Sequence, residues 1–390
     1  MSKVKFGDIV NDVKEKVDRD NNPYEYYVAG DHMDSDDLTI RRKGRFATDD
    51  VGPAFIMLFK KGQVLYGSRR TYLRKIAVAD FDGVTANTTF VLETKDESVL
   101  RQRLLPFIMY TDKFTEWSIK KSKGSTNPYV LFKDLADFEF ELPDIHKQDE
   151  LADILWSIVE AKDACNTLLS NTDSVLQSRF ISMFGDPDDN PFGWKKCSIS
   201  EVMRGKVSNG FFTKPKDYCD DGNTGVICVG DVVNRKYSNV DHLRRANASD
   251  KDFDKYRVYY GDMLFCRSSL VKEGIGKASI VPQGVTEDTI FECHVIRVPL
   301  NTEVVLPEFM QELSVSDYFR TEMMNKSKTA TMTTIGQKDI IETEIYVPPM
   351  ELQEQFLVLS EQADRSKKAI EESKLELNAI YKKMLEETIN

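Results

Sequence analysis

The chain contains 390 residues, of which 41% are hydrophobic and 30% are charged, and its formal net charge at pH 7 is −11. This composition is typical of a globular protein, and the length allows two or three domains. No run reaches the roughly 18–20 apolar residues of a membrane span. The N-terminal MSKVKFGDIVND contains acids before any long apolar stretch, so neither a signal peptide nor a membrane partner is expected.

The cysteines and histidines argue against metal binding and against histidine-dependent catalysis. The six cysteines are scattered without a CxxC pair, and the four histidines show no HxxxH or HExxH spacing. Reduced thiols in the cytoplasm are therefore expected, without a zinc site. A nuclease-like set at Asp80, Glu93 and Lys95 is too loosely spaced to fit the PD-(D/E)xK pattern. The sequence assigns no catalytic residue and no metal ligand.

In chain order, the first part of the sequence predicts a mixed α/β domain followed by a long helix. Short apolar or β-branched runs at 54–59, 76–79 and 88–92 predict strands, with turn residues between them. The helix is expected over 147–184, because Gly185-Asp186-Pro187 supplies a glycine cap and a proline stop.

The second part of the sequence repeats the first. Lys121-Ser122-Lys123-Gly124-Ser125-Thr126 returns 205 positions later as Lys326-Ser327-Lys328-Thr329-Ala330-Thr331, and Gln148-Asp149 returns as Gln353-Glu354. Strands are expected at 225–229, 278–281 and 294–298, with a second helix from Leu352 towards the C-terminus. The predicted fold is therefore α/β (α+β) in two copies. The predicted segments are a domain at 1–146, a spacer helix at 147–185, a domain at 186–350 and a spacer helix at 351–390.

Both helices carry a stripe at alternating steps of three and four residues, which is the spacing of a coiled coil. The predicted seam consists of Leu151, Ile154, Ile158, Cys165 and Leu168 in the first helix and Phe356, Leu359, Ile370, Leu377 and Ile380 in the second. Because the two stripes coincide under the offset of the repeat, the helices are expected to pack against each other. The alternative is two unrelated amphipathic helices, each covering its own domain.

Acid-free cationic blocks contrast with the acidic chain as a whole. Residues 60–75 carry six Lys or Arg, 119–133 and 204–216 carry four each, and 323–338 carry three. The two predicted helices, in contrast, carry a net charge of −3 each. Basic side chains mixed with Ser, Thr, Asn and Tyr are suited to contacting phosphates and base edges. Solvated basic faces are the alternative interpretation.

Three further segments have a recognisable form. They are Gly261-Asp262-Met263-Leu264-Phe265, Pro348-Pro349-Met350-Glu351-Leu352-Gln353-Glu354-Gln355, and Phe184-Gly185-Asp186-Pro187 followed by Asn190-Pro191-Phe192-Gly193-Trp194. Together with the repeat and the paired helices, they make the chain resemble the specificity subunits of type I restriction–modification systems over essentially its whole length.

The resemblance implies two target-recognition domains separated by two helices that pack as an antiparallel coiled coil. It further implies recognition of a bipartite site on double-stranded DNA, no catalysis by this chain, and assembly with two methyltransferase subunits and with restriction subunits. S-adenosylmethionine, ATP and Mg would then be bound by those partners, and this chain would hold no cofactor. Because the two predicted domains differ greatly in sequence, the two half-sites are expected to be unlike.

The residues predicted to contact DNA lie in the basic segments and in the corresponding segments of the second domain. For the first domain they are Ser68, Arg69, Arg70, Tyr72, Arg74, Lys75, Lys121, Lys123, Ser125 and Thr126. For the second they are Arg267, Ser268, Ser269, Lys272, Lys326, Lys328, Thr331 and Thr333. Tyr66 and Phe265 are expected to be core residues. The alternative function is a coiled-coil scaffold whose globular ends bind proteins; an autonomous nuclease or methyltransferase lacks the necessary motifs.

Overall fold

The computed structural model describes residues 2–18, 21–329 and 331–388. Ala330 of the repeated segment and the last two residues of the predicted second helix lie outside the described residues. The contacts between residues divide the chain into two units. Unit 1 comprises the residues up to 168 together with those from 370 onward, and unit 2 comprises residues 169–369. Each unit therefore contains one globular part and a portion of each long helix.

Within its described residues, unit 1 combines ten strands with short helices, the first part of the first long helix and the last part of the second. Its strands are β1 Ser2–Lys5, β2 Val10–Asp12, β3 Tyr26–Val28, β4 Gly44–Arg45, β5 Phe55–Phe59, β6 Val64–Gly67, β7 Ile76–Val78, β8 Gly83–Ala86, β9 Thr89–Thr94 and β10 Glu139–Leu142. Its helices are α1 Phe6–Ile9, α2 Leu105–Met109, α3 Asp112–Lys121, α4 Phe132–Ala136 and the first part of α5 Ile145–Phe184.

Unit 2 has a similar order of elements. Its strands are β11 Lys195–Ser198, β12 Ser208–Asn209, β13 Thr224–Ile227, β14 Arg244–Ala246, β15 Asp262–Cys266, β16 Ser268–Ser269, β17 Ala278–Ile280, β18 Thr289–Phe291, β19 Val295–Pro299, β20 Lys328–Thr329, β21 Thr333–Thr334 and β22 Glu344–Val347. Its helices are α6 Val229–Val232, α7 Asp250–Tyr256, α8 Pro307–Val315, α9 Asp317–Lys326, α10 Gln337–Ile341 and the first part of α11 Met350–Thr388. The mixed α/β class and both long helices are confirmed.

The sheets of the two units have corresponding topologies. An antiparallel sheet has the order β2-β9-β6-β7 in unit 1 and β12-β19-β15-β17 in unit 2. A second sheet contains one parallel pair in each unit, β3 with β8 and β13 with β18. A two-stranded pair precedes each long helix, β1 with β10 before α5 and β11 with β22 before α11. The internal repeat in the sequence is therefore a repeat of the fold.

The central strands β6 and β15 lie in the cores of their units. Tyr66 is 2% exposed and Phe265 is 0% exposed, which confirms both as core residues. Burial raises the pKa of the Tyr66 phenol to about 12. Phe114 packs on Tyr66 with ring centroids 6.0 Å apart, and Phe319 packs on Phe265 at 6.2 Å. The first pair joins α3 to β6 and the second joins α9 to β15, so equivalent elements close each core.

The buried faces of the long helices differ from the predicted seam in a regular way. Of the predicted positions, Leu151, Ile158 and Phe356 are buried, and Cys165, Leu359, Ile370 and Leu377 are partly buried. Ile154, Leu168 and Ile380, however, are 47%, 52% and 51% exposed, so their assignment to the seam is wrong. Each of these three residues follows the preceding seam residue by three positions. The residue four positions on is more buried: Leu155 is buried, and Leu169 and Tyr381 are partly buried.

The seam in the structure differs from the predicted seam at every second predicted position, where it contains the next residue along the helix. Leu155 is buried in place of Ile154, and Ser360 is buried although the predicted Leu359 is only partly so. The offset of the repeat holds, since Ser360 lies 205 positions after Leu155. The spacing alone does not distinguish the two phases of the stripe, because Ile154 and Leu155 are both apolar and both fit steps of three and four residues.

Polar contacts show how the helices pack within each unit. In unit 1, Lys374 Nζ donates to Asn166 Oδ1 at 2.6 Å, and the Lys162 ammonium lies 5.1 Å from the centre of the Tyr381 ring. Desolvation lowers the pKa of Lys162. The residue that lies earlier in α5, Lys162, contacts the residue that lies later in α11, Tyr381. Within this unit the two helices therefore run antiparallel. In unit 2 the same relation holds for the ion pair of Lys367 with Asp173 and for Phe180, whose ring centroid lies 5.4 Å from that of Phe356.

A buried glutamine fixes the start of each long helix. Gln148 donates from Nε2 to the carbonyls of Val99 and Pro143 at 2.9 and 3.0 Å, and its Oε1 accepts from the amide of Arg101 at 3.0 Å. Gln353 makes the same three bonds to the residues that lie 205 positions later, Val304, Pro348 and Leu306. The repeated Gln in the sequence therefore marks a structural position, because its buried side chain bonds three backbone groups in each unit.

Candidate nucleic-acid interface

In unit 1 the structure brings the two predicted basic segments together. Arg69 and Lys123, more than fifty positions apart in the sequence, both form antiparallel bridges with Tyr129. The amide of Arg70 donates to the carbonyl of Pro128 at 2.7 Å, and the amides and carbonyls of Lys123 and Tyr129 exchange bonds of 2.8 and 2.9 Å. The loop after β6 and the loop after α3 therefore form one surface, which we call recognition surface 1.

In unit 2 the corresponding segments pair as a three-stranded antiparallel sheet. Strand β21 pairs with β16 and with β20, so that Thr334 lies opposite both Ser268 and Lys328. Thr334 and Lys328 lie 205 positions after Tyr129 and Lys123, the bridging residues of unit 1. The predicted segments 267–272 and 326–333 thus converge on recognition surface 2.

The predicted contact residues fall into three groups by exposure. The exposed ones are Arg69, Arg70, Tyr72, Lys123, Ser125, Thr126, Lys272, Lys328 and Thr331. Those partly buried are Arg74, Lys75, Lys121, Arg267, Ser269 and Lys326. Ser68, Ser268 and Thr333 are buried. Two of these hydroxyls are used within the fold: Ser68 donates to the carbonyl of Thr88 at 2.6 Å, and Thr333 shares a bond of 3.0 Å with Thr329.

Two arginines dominate recognition surface 1. Arg69 and Arg70 are exposed, and neither forms an ion pair with any residue that the structure describes. Arg70 has a φ of 49° and Arg74 a φ of 50°, and these left-handed residues flank the short turn Thr71–Leu73. Non-glycine residues adopt this conformation at a cost of about 1 kcal/mol each, so the local fold holds the turn in place. The two guanidinium groups are left available for an external partner.

Arg74 has a different role from the one predicted. Its guanidinium forms ion pairs with Asp36 at 2.9 Å and Asp112 at 2.8 Å, and it also donates to the carbonyl of Tyr110. These contacts tie the loop after β6 to α3. A guanidinium with two carboxylate partners is not available to phosphates, so Arg74 supports the surface rather than belonging to it. Lys75 is likewise engaged, since its ammonium donates to the carbonyl of Gly30 at 2.5 Å.

Recognition surface 2 is less charged than recognition surface 1. Arg267 donates to the carbonyl of Cys293 at 3.1 Å, and Lys326 bonds Thr343 Oγ1 at 2.8 Å, so both heads are engaged inside the unit. Lys272 and Lys328 remain as exposed cations without an ion pair among the described residues. Sequence reasoning missed the apolar Leu270, which is 84% exposed between Ser269 and Lys272. An aliphatic residue inside a basic segment was the signal that could have identified it.

The Gly261–Phe265 segment has a structural explanation. Gly261 adopts a φ of 81°, and Asp262 behind it is 0% exposed. Asp262 pairs with Arg204 and accepts from the amide of Tyr259 at 3.0 Å. Burial raises the pKa of the Asp262 carboxyl, and the nearby Arg204 guanidinium opposes that shift. The segment anchors β15, the strand that leads directly into recognition surface 2.

Comparison with known proteins agrees with this architecture. Residues 3–171 match the family described as the type I restriction modification DNA specificity domain. The specificity subunit of the type I restriction enzyme EcoKI from Escherichia coli K12 is 22% identical over 312 residues, 74% of this chain and 66% of that subunit. The first part of the chain is therefore similar to this domain, and most of the chain is similar to type I specificity subunits. The EcoDI specificity subunit from Escherichia coli is 25% identical over 130 residues, 32% of this chain and 28% of that subunit.

Solved structures show a similar fold over the whole length of the chain. The S subunit of a type I restriction–modification system from M. genitalium has a TM-score of 0.57 at 12% identity, covering 100% of this chain and 96% of that one. A chain from another type I system gives 0.54 at 18% identity, covering 99% and 96%. Among the described residues no cluster of His, Cys, Asp or Glu could hold a metal ion. In the same part of the chain, no helix is long and apolar enough to cross a membrane.

Proposed function

We propose that this chain is the DNA sequence-recognition subunit of a type I restriction–modification complex, working in the cytoplasm and without catalytic activity of its own. The observation that carries the proposal is the convergence, in both units, of two separate polar and basic segments on one exposed surface. Recognition surface 1 offers Arg69 and Arg70, and recognition surface 2 offers Lys272 and Lys328. Each surface would contact one half of a bipartite site on double-stranded DNA.

The chemistry of the two surfaces supports an asymmetric target. Arginine pairs with the guanine edge through two parallel hydrogen bonds, whereas lysine acts as a single charge for phosphates. Recognition surface 1 is rich in arginine, while recognition surface 2 combines lysine, threonine and an aliphatic residue. Surfaces of such different chemistry would select different base sequences, so a palindromic target is not expected.

Charge distribution explains how an acidic chain could bind DNA. The predicted helices carry a net charge of −3 each, while the segments that build the recognition surfaces contain no acid. At physiological ionic strength charges further apart than about 8 Å are largely screened from one another. The local positive charge would therefore govern the contact with phosphates despite the overall charge of −11.

The first experiment is a genome-wide map of methylated adenines in cells with and without this chain, with the neighbouring methyltransferase kept in both. Loss of one bipartite, asymmetric motif on deletion is the expected result. On the purified complex, Arg69→Ala should weaken binding to that motif by about 1–3 kcal/mol if Arg69 reads a base. The matched control is Arg365→Ala, an exposed arginine of α11, which should leave binding unchanged. An unchanged methylome together with salt-insensitive DNA binding would favour a protein scaffold instead.

We further propose that the chain docks two methyltransferase subunits, with restriction subunits joining the complex, and that S-adenosylmethionine, ATP and Mg bind to those partners. Cavities related by the repeat support two equivalent docking positions. Unit 1 has a cavity of about 270 Å³ and unit 2 one of about 740 Å³. Their equivalent lining pairs are Thr111 and Ser316, Asp112 and Asp317, and Lys162 and Lys367.

The docking proposal can be tested with photo-crosslinking residues at two equivalent cavity positions, Lys382 in unit 1 and Gln177 in unit 2. Both positions should crosslink to the same region of the methyltransferase in the purified complex. Crosslinks from one position only, or to unrelated regions, would contradict two equivalent docking positions.

A further inference from the structure

Recognition surface 2 presents an aliphatic tip. Leu270 is 84% exposed, the highest value of any large hydrophobic side chain in the described part of the chain, and the adjacent Val271 is 63% exposed. Single exposed hydrophobic residues are common, but two adjacent branched ones at the tip of a loop indicate a contact. The loop also carries Lys272, so the apolar tip lies beside an exposed cation.

The loop is held in one conformation. Ser269 Oγ donates to the carbonyl of Val271 at 2.6 Å and lies 3.2 Å from the Val271 amide, and the amide of Gly274 donates to the same carbonyl at 3.0 Å. A Cβ on Gly274 would lie 2.6 Å from Ser269 Oγ, so the close approach requires glycine there. The strand pairing of β16 with β21 fixes the base of the loop. The loop is therefore preorganised, and Leu270 can contact a partner without a rearrangement of the loop.

The register of the repeat gives the equivalent position in unit 1. Tyr129 pairs with Arg69, and Thr334, which lies 205 positions after Tyr129, pairs with Ser268. Counting forward from these pairs, Leu270 corresponds to Thr71, which is 4% exposed. The aliphatic tip is thus a feature of unit 2 alone, in a frame that both units share. Arg69 and Arg70 likewise correspond to Ser268 and Ser269, so the two loops share a frame but present different side chains at the contact positions.

We propose that Leu270 reads thymine through apolar contact with its C5-methyl group in the major groove, so that the half-site bound by unit 2 contains a thymine at that position. The inference rests on the proposed DNA-recognition function. The thymine methyl is the apolar group that the base edges present in the major groove, and an aliphatic side chain distinguishes it by burial. Removing one buried methyl changes affinity by about fourfold.

The test is a double-mutant cycle between protein and DNA. Each thymine of the second half-site is replaced in turn by deoxyuridine, which removes only the methyl, and the dissociation constant is measured for the complex with its methyltransferase. With the natural chain, one replacement should weaken binding about fourfold. With Leu270→Ala, binding to the thymine duplex should already be weaker, and the same replacement should cause no further loss. Because Leu270 is exposed, this variant retains the fold.

A control variant and four alternative results distinguish thymine reading by Leu270 from other roles. Val304→Ala, at a partly exposed valine outside the surface, should leave the cycle unchanged. Equal losses from deoxyuridine in the natural chain and in Leu270→Ala would overturn the inference. So would a Leu270-dependent rise in 2-aminopurine fluorescence without sensitivity to the methyl, which would assign Leu270 to insertion between bases. Loss of methyltransferase binding with unchanged DNA affinity would assign it to a protein interface. Absence of any sequence-specific DNA binding by the natural complex would refute the proposed function itself.

Discussion

Replacing Gln353 by alanine should destabilise unit 2 by about 3 kcal/mol or more. Gln353 is 0% exposed and makes three hydrogen bonds to backbone groups, donating to Val304 and Pro348 at 3.2 and 2.8 Å and accepting from Leu306 at 2.8 Å. Each such bond contributes about 0.5–1.5 kcal/mol net, and a buried backbone group left without a partner costs about 1–3 kcal/mol. Alanine removes all three bonds and leaves two carbonyls and one amide without their partner.

The loss can be measured for unit 2 alone. The chain has three tryptophans, of which Trp117 and Trp156 lie in unit 1 and Trp194 in unit 2. In a background with the first two changed to phenylalanine, fluorescence in a urea titration reports the unfolding of the environment of Trp194, whose indole donates to the carbonyl of Phe184 at 2.8 Å. The midpoint should fall for Gln353→Ala while the slope of the transition stays the same.

The matched control is Gln355→Ala, an exposed glutamine two positions along the same helix, which should change stability by less than about 0.5 kcal/mol. Gln148→Ala should cost unit 1 a similar amount, because Gln148 makes the same three bonds there. A loss below about 1 kcal/mol for Gln353→Ala would refute the reasoning that these backbone groups depend on the glutamine.

The corrected seam predicts that Leu155→Ala costs unit 1 about 2–5 kcal/mol, whereas Ile154→Ala, at the neighbouring exposed position, stays within about 1 kcal/mol; equal losses in urea titrations would restore the original seam. Arg74→Ala should lower the stability of unit 1 by about 1–3 kcal/mol while leaving the salt dependence of DNA binding unchanged, and a reduced slope of affinity against salt would instead make it a phosphate contact. Cys266 is 0% exposed, and burial raises the pKa of its thiol to about 11. At pH 8 roughly one Cys266 thiol in a thousand is ionised. Mass spectrometry should therefore find it unalkylated until the chain unfolds, and modification as fast as at Cys293 would contradict the burial.

The sequence predicted the local features of this protein because those features depend on residues close together in the chain. The end of α5 followed from the Gly-Asp-Pro stop, and the predicted starts of both long helices lie within two residues of those in the structure. The strands at 55–59 and 278–280 followed from the apolar or β-branched runs at 54–59 and 278–281. Tyr66 and Phe265 were identified as core residues from their strand positions. The offset of 205 residues identified the repeat, and it also holds for contacts that no sequence pattern describes.

The roles of individual basic residues could not be derived in this way. Arg69 and Arg74 lie in one cationic block, yet only Arg74 meets carboxylates, from Asp36 and Asp112. Those acids come from distant parts of the chain, and ion pairing depends on distances that only the folded chain sets. The contacts of the helix seam could not be derived from the sequence either. Lys162 and Lys367 take part in them, but a stripe defined by hydrophobic spacing does not include these lysines.

The sequence alone thus determined the repeat, the fold class, the long helices and the segments from which a DNA surface could be built. The tertiary structure decided which segments meet, through Tyr129 in unit 1 and Thr334 in unit 2, and which side chains remain exposed there. It also decided that Leu270 points to solvent and that Ile154 does not lie in the seam. The physical reason is that burial and pairing are properties of the packed chain: a side chain's partners come from elements far away in sequence, and composition and periodicity cannot specify them.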